Sequence, residues 1–127
     1  MASVPSGEAF SDKQQAAIER ARAEVRERAG LHVSVYVGAL GAQPRARAEQ
    51  LLAGLGAAGA DVALVAVDPA ARRLELVTGA RAARRLDERS ATLAALAMTS
   101  SFGSGDLAGG IVNGIRMLGE HASALSR

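Results

Sequence analysis

Val62-Ala63-Leu64-Val65-Ala66-Val67 is a continuous apolar run of six residues, and it decides the fold. A run of this kind is typical of a strand that is covered on both faces and so lies in the middle of a sheet. Asp68-Pro69-Ala70-Ala71 follows as a turn, and Leu74 to Thr78 is a short run with polar ends. Because the connection is short, we expect a hairpin in which the two strands are antiparallel.

Another strand is predicted upstream, from Leu31 to Val37, where apolar and polar residues alternate. A helix beginning near Pro44 separates this strand from the central run. Two strands joined through a helix are expected to be parallel, with a right-handed crossover. The three runs therefore predict a small mixed sheet in an α/β fold.

Helices are predicted before and after these strands. Ser11-Asp12-Lys13-Gln14 has the form of a capping box, and the helix that begins there should end at Gly30. After the third strand we expect a short helix from Ala80 to Leu86. A longer helix should follow, capped by Ser90 and breaking at the segment 102–105.

The apolar faces of the last two helices can also be predicted. In the helix capped by Ser90, three residues are expected to face inward: Leu93, Leu96 and Ala97. Asp106 is a good N-cap for the final helix. That helix contains Gly109, Gly110 and Gly114, each of which costs roughly 1 kcal/mol relative to Ala, so close backbone packing on another element is expected as compensation.

Composition excludes several classes of protein. The chain has 127 residues, of which 49% are hydrophobic and 22% charged, as is typical of one globular domain. It has no cysteine, which excludes disulfides, thiolate metal sites and cysteine nucleophiles. Residues 1–10 lack the basic and apolar parts of an export signal, and no stretch approaches the roughly 20 apolar residues of a spanning helix. We therefore expect a cytoplasmic protein without a membrane span.

Arginines are concentrated between residues 72 and 89, and such a cluster can hold a phosphate group through bidentate hydrogen bonds. The candidate anion-binding residues are Arg81, Arg84 and Arg85. The alternative is a solvated face that pairs with neighbouring carboxylates. A net charge of only +2 and 2% aromatic residues argue against nucleic acid as a partner.

Three aspartates are candidate metal ligands: Asp61, Asp87 and Asp106. Asp61 precedes the central strand, and the other two lie beside predicted helix ends. If they converge at one end of the sheet, they offer the hard oxygen ligands that Ca²⁺ or Mg²⁺ prefers. The alternative is that each caps a helix or ends a loop.

The order of segments resembles the TPM domain family over about residues 10 to 120. The resemblance includes Phe10-Ser11-Asp12, the segment 61–67, Leu86-Asp87 and the segment 105–110. It implies a three-layer α/β/α sandwich as a single domain, with flexible segments at 1–9 and 121–127. Members of the family are described as divalent-metal-binding, weakly acid-phosphatase-like or accessory modules. The acidic positions carried over by the resemblance are Asp61, Asp87 and Asp106.

Two differences from the family pattern bear on activity. The family's Asp-Asn-Gly before the central strand is Asp61-Val62-Ala63 here, and its Gly-Tyr-Gly after the third strand is Thr78-Gly79-Ala80. Both argue against phosphatase activity, and the chain is similar to an uncharacterised, soluble actinobacterial branch of the family. We therefore expect a non-catalytic module that binds a protein partner or an ion, the alternative being a weak acid phosphatase assisted by a divalent metal.

Overall fold

The computed structural model describes residues 10–125, and the burial of side chains as far as residue 122. The segment 1–9, expected to be flexible, lies outside the described residues. The elements in chain order are α1 (Asp12–Ala29), β1 (His32–Val37), α2 (Pro44–Ala53), a first 3-10 helix (Gly56–Asp61), β2 (Val62–Asp68), β3 (Arg73–Thr78), a second 3-10 helix (Ala82–Arg84), α3 (Glu88–Ser104) and α4 (Leu107–Leu125).

The three strands form one sheet in the order β1-β2-β3. β1 and β2 are parallel, and His32 lies opposite Val62. β2 and β3 are antiparallel, and Ala63 lies opposite Thr78. Both predicted orientations are confirmed. As a result, the starts of β1 and β2 and the end of β3 meet at one end of the sheet, which we call the amino end.

Helices cover both faces of this sheet, because alternate residues of β2 enter two separate hydrophobic clusters. Ala63 and Val65 pack in the larger cluster with residues of α1, α3 and α4. Leu64 and Ala66 pack in the smaller cluster with Ala48 of α2. Val65 is 0% exposed, as expected for a central strand. The α/β class and the small mixed sheet are therefore confirmed.

The ends of α1 follow from local sequence. The Gln14 amide donates to Ser11 Oγ at 3.1 Å, and the Ser11 amide donates to Gln14 Oε1 at 2.9 Å, so the predicted capping box is present. Gly30 ends the helix with φ +67°, a left-handed conformation that favours glycine. This turn directs the chain into β1.

The last two helices pack through small residues. At Gly110 an added Cβ would meet the side chain of Ser101, and at Gly114 it would meet that of Met98. Gly110 and Gly114 thus compensate for their poor helix propensity by allowing α4 to lie close to α3. The close packing predicted from the glycines of α4 is confirmed.

Helix boundaries differ from the predictions in three places. α3 is capped by Asp87, because the Ser90 amide donates to Asp87 Oδ1 at 2.7 Å, and it continues through Gly103 to Ser104. The helix predicted from Ala80 to Leu86 is a single 3-10 turn over Ala82–Arg84. The first 3-10 helix, Gly56–Asp61, had no signal beyond its glycines.

The predicted C-terminal tail is corrected as well. α4 continues to Leu125, so residues 121–125 are helical rather than a tail. The reason is burial, since Ala122 is 0% exposed and belongs to the larger hydrophobic cluster. Residues 126–127 lie outside the described residues. Among the described helices, none combines the length and the apolar character needed to cross a membrane.

Candidate functional site

The three aspartates predicted as metal ligands have separate partners. Asp61 receives two hydrogen bonds from Arg81, from Nε to Oδ1 at 2.8 Å and from Nη2 to Oδ2 at 3.0 Å. Asp87 accepts the Ser90 amide at the start of α3, and Asp106 accepts the Gly109 amide at 3.0 Å at the start of α4.

These carboxylates do not form the expected metal site. Within residues 10–125, no three acidic or histidine side chains form a group that could hold a metal ion. The cluster expected at Asp61, Asp87 and Asp106 is therefore corrected. The physical reason is local, since helix N-termini and a neighbouring guanidinium engage the carboxylates one by one.

The pKa values of two of these carboxylates agree with roles in helix capping and ion pairing. Hydrogen bonds from Arg81 lower the pKa of Asp61, and the backbone hydrogen bond from Ser90 lowers the pKa of Asp87. Both stay ionised at neutral pH. A general acid needs the opposite shift, because it must hold its proton near the working pH.

The predicted arginine cluster is brought together at the amino end of the sheet. Arg81, Arg84 and Arg85 line one pocket of about 240 Å³, together with Gly30, Leu31, Asp61 and Ala82. We call this the arginine pocket. The grouping was predictable, because the three residues are close in sequence and lie on one 3-10 turn and its two flanking residues.

The three arginines differ in what they contact. Arg81 is bound by Asp61. Arg85 donates through Nη2 to the carbonyl oxygen of Ala29 and, at 3.5 Å, to that of Ala122, so it joins the end of α1 to α4. Arg84 is exposed, and its side chain has no hydrogen bond or ion pair with any other described residue.

A second pocket of about 300 Å³ adjoins the first at Asp61. Its polar lining includes Arg22 and Arg26 of α1 and His32 and Ser34 of β1. Sequence reasoning missed the two α1 arginines, because on an amphipathic helix they look like any solvated charged face.

A cavity of about 580 Å³ forms a groove between β3 and α3. We call it the β3–α3 groove. Leu74, Leu76 and Thr78 line it from the strand, and Ala95 and Leu96 are among its lining residues on the helix. Arg45 of α2 and Glu88 at the start of α3 also border it.

Two leucines of α3 point away from the core. Leu96 is 61% exposed and lines the groove. Leu93 is 46% exposed and lines a separate cavity, which shares Glu88 and Thr92 with the groove. The prediction that these leucines face inward is wrong. The helix instead buries its small residues Ala94 and Ser101 together with Met98, since α4 presents glycines to that face.

β3 is an edge strand, and its outer side faces the groove. The Gly79 amide, just after the strand, bonds to Val62 of β2 at 2.9 Å. The Leu76 carbonyl faces the other way and accepts from Arg45 Nη1 at 2.8 Å. By the alternation of an antiparallel strand, the backbone groups of Leu74 and Thr78 also face outward.

Comparison with known proteins agrees with this fold. The chain is similar to the N-terminal domain of the cg2496 protein from Corynebacterium glutamicum, whose solution NMR structure it matches with a TM-score of 0.77. Sequence identity is 18%, over 98% of this chain and 87% of that one. A likeness at this identity shows a shared fold. A family model, described as a domain of unknown function (DUF5130), matches residues 2–119. The chain therefore belongs to the DUF5130 family.

Proposed function

We propose that this protein is a small non-catalytic binding module that receives an extended segment of a protein partner in the β3–α3 groove. The observation that carries the proposal is the outward position of Leu96 in a groove beside an edge strand, with Leu93 exposed one turn earlier on the same helix. The two exposed leucines leave apolar surface in water, and burial of that surface under a partner would stabilise a complex by roughly 1 kcal/mol or more for each side chain.

The edge strand defines the shape of the partner. Outward backbone groups on β3 can pair with an extended chain, and side chains on alternate positions of that chain would then face the apolar wall of α3. Arg45 covers one of these groups, the Leu76 carbonyl. A partner that adds as a strand must therefore displace the Arg45 side chain, which is 59% exposed and can move.

Charge defines which segment fits. Arg45 lies 3.6 Å from Glu75, so the acidic side chain of β3 is already compensated. Glu88, at the other side of the groove, has no ion pair with any described residue. The segment should therefore alternate apolar residues with polar ones and carry a Lys or Arg near Glu88.

The resemblance to the TPM family supports the same class of function. Accessory modules are one of the roles described for that family, and membership in its soluble actinobacterial branch is part of this proposal. The separate partners of Asp61, Asp87 and Asp106 favour this proposal over the alternative of a metal-assisted phosphatase.

Selection from a display library of short random peptides tests the proposal. We expect enrichment of sequences with alternating apolar residues and a nearby Lys or Arg, and loss of their binding in Leu96→Asp. Because Leu96 is exposed, this variant should fold normally. Ala57→Asp, an exposed substitution that lines no pocket described above, is the matched control and should bind like the parent.

Two results would contradict the proposal: no enrichment over the control selection, or selected peptides that bind Leu96→Asp as well as the parent. Arg45→Ala separates the modes of binding. Removing the guanidinium that covers the Leu76 carbonyl should tighten binding if the peptide adds to β3 as a strand.

A further inference from the structure

The arginine pocket and the second pocket form one positively charged surface at the amino end of the sheet. Five arginines line the two pockets, and Asp61 is the one carboxylate among their lining residues. Arg81 is paired with Asp61, and Arg22 with Glu19 at 2.6 Å. Arg26 and Arg84 have no carboxylate partner among the described residues. The surface therefore keeps a net positive charge after all its ion pairs are counted.

We propose that the arginine pocket binds a phosphate group between Arg81 and Arg84, supplied by inorganic phosphate or by a phosphate monoester. This site uses different residues from the β3–α3 groove, so either can fail without the other. A guanidinium is the side chain best suited to a tetrahedral oxyanion, since it offers several N–H donors in one plane.

The pocket is organised before any ligand arrives. Asp61 holds Arg81 through Nε and Nη2, and this pairing leaves Nη1 outside it. The backbone adds a second restraint, because the Arg81 amide donates to the Ala60 carbonyl at 2.8 Å. A guanidinium fixed in this way loses less side-chain entropy on binding than a free one.

Space and wall chemistry also fit a phosphate group. The volume of about 240 Å³ is many times the ~10–15 Å³ that one water needs, so a phosphate with attached waters can enter. Gly30 contributes no side chain to the wall. Arg85 also lines the pocket, and its hydrogen bonds to the carbonyl oxygens of Ala29 and Ala122 restrain its side chain.

The charge of Asp61 determines in which direction its replacement should change phosphate affinity. Asp61 orients Arg81, but it also occupies two donors of that residue and repels an incoming anion. Replacing it by Asn should therefore strengthen phosphate binding, whereas replacing Arg84 by Gln should weaken it. Each change should alter the Kd by roughly two- to fivefold, the range that an exposed charge pair contributes.

The experiment is an NMR titration of the full chain with inorganic phosphate at neutral pH, with sodium chloride holding the ionic strength constant. We expect saturable shifts of the Gly30 and Ala82 amides, a weaker Kd in Arg84→Gln and a tighter one in Asp61→Asn. Arg47→Gln and Asp12→Asn change the net charge by the same amounts at exposed positions elsewhere, and should leave the Kd unchanged. A parallel titration with glycerol 3-phosphate distinguishes the sources, since tighter binding than phosphate assigns the pocket to a monoester.

Linear shifts that do not saturate, or equal weakening in Arg84→Gln and Arg47→Gln, would overturn the proposal, because either result means attraction by overall charge only. Weaker binding in Asp61→Asn than in Asp12→Asn would also overturn it. None of these outcomes depends on peptide binding at Leu96.

Discussion

Gly79 packs directly on the backbone of Ala60. A Cβ added at Gly79 would lie 2.7 Å from both the Cα and the carbonyl carbon of Ala60, closer than real Cβ contacts come. This approach lets the Gly79 amide bond to Val62 and the Arg81 amide bond to Ala60. The glycine therefore brings the chain after β3 alongside the first 3-10 helix and places Arg81 beside Asp61.

Gly79→Ala should destabilise the protein by about 1–3 kcal/mol, because the atoms that a methyl group would meet are backbone and cannot move aside cheaply. Urea unfolding followed by circular dichroism measures the change. Gly103→Ala is the control: Gly103 lies in α3, and nothing is within 4 Å of an added Cβ there. Ala is the better helix former, so this control should be neutral or more stable by up to about 1 kcal/mol. Equal stability of the two variants would contradict the packing described for Gly79.

The sheet could be predicted from sequence because its signals are local. The run 62–67, the turn at Asp68-Pro69 and the short connection to β3 together determine strand order and direction. The rotation of α3 could not be predicted in the same way. Leu93 and Leu96 suggest one buried face by their hydrophobicity, but the glycines of α4 select another, with Ala94 and Met98 inward. Which face of α3 is buried depends on its contact with α4, so the sequence of α3 alone does not predict it.

The candidate site was predictable to the extent that its residues are neighbours in sequence. Arg81, Arg84 and Arg85 share a pocket because they lie within five consecutive positions. Asp61 and Arg81 are twenty residues apart, and they meet through the pairing of β2 with β3 and the turn at Gly79. The contribution of α1 arginines depends on how the helix lies against β1, which sequence periodicity does not specify.

Gly114→Ala tests the contact between the last two helices. The added methyl group would meet the side chain of Met98, which is 0% exposed and has little room to move. We expect a loss of about 1–3 kcal/mol of unfolding free energy. In a double-mutant cycle with Met98→Ala, the two effects should be less than additive, because the shortened side chain vacates the space that the methyl group needs. Additive effects in urea unfolding would show that the two residues do not compete for space.

Asp87 should make the stability of the protein depend on pH. Its pKa lies below the ordinary aspartate value of 3.8, mainly because the Ser90 backbone amide donates to the ionised carboxylate. The stabilisation is therefore present above pH 3.8 and is lost as the pH falls through the lower folded value. Asp87→Ala should be less stable than the parent at neutral pH, and the difference should shrink in acid.

Asp87→Asn is the control for this titration. Asn caps a helix about as well as Asp but does not ionise, so most of the stability at neutral pH should remain while the pH dependence from this position disappears. The midpoints of urea unfolding, measured for the parent and both variants across the acidic range, test this pH dependence. A constant difference between parent and Asp87→Ala at every pH would show that the carboxylate's charge is unimportant.

Asp106 separates helix capping from metal binding. Its carboxylate accepts the Gly109 amide at 3.0 Å, and an N-cap of this kind contributes about 1 kcal/mol. Asp106→Ala should therefore lower the unfolding free energy by about that amount, whether or not Ca²⁺ or Mg²⁺ is present, and millimolar concentrations of either ion should leave the parent's Tm unchanged. A ligand bound by the native state alone would raise Tm by mass action, so a Ca²⁺-dependent increase that is lost in Asp106→Ala would show that the aspartates assemble around an ion after all.

Asp106→Asn completes the comparison, because it keeps the capping oxygen but weakens a hard-cation ligand. If capping alone operates, its stability should stay close to that of the parent in both ionic conditions.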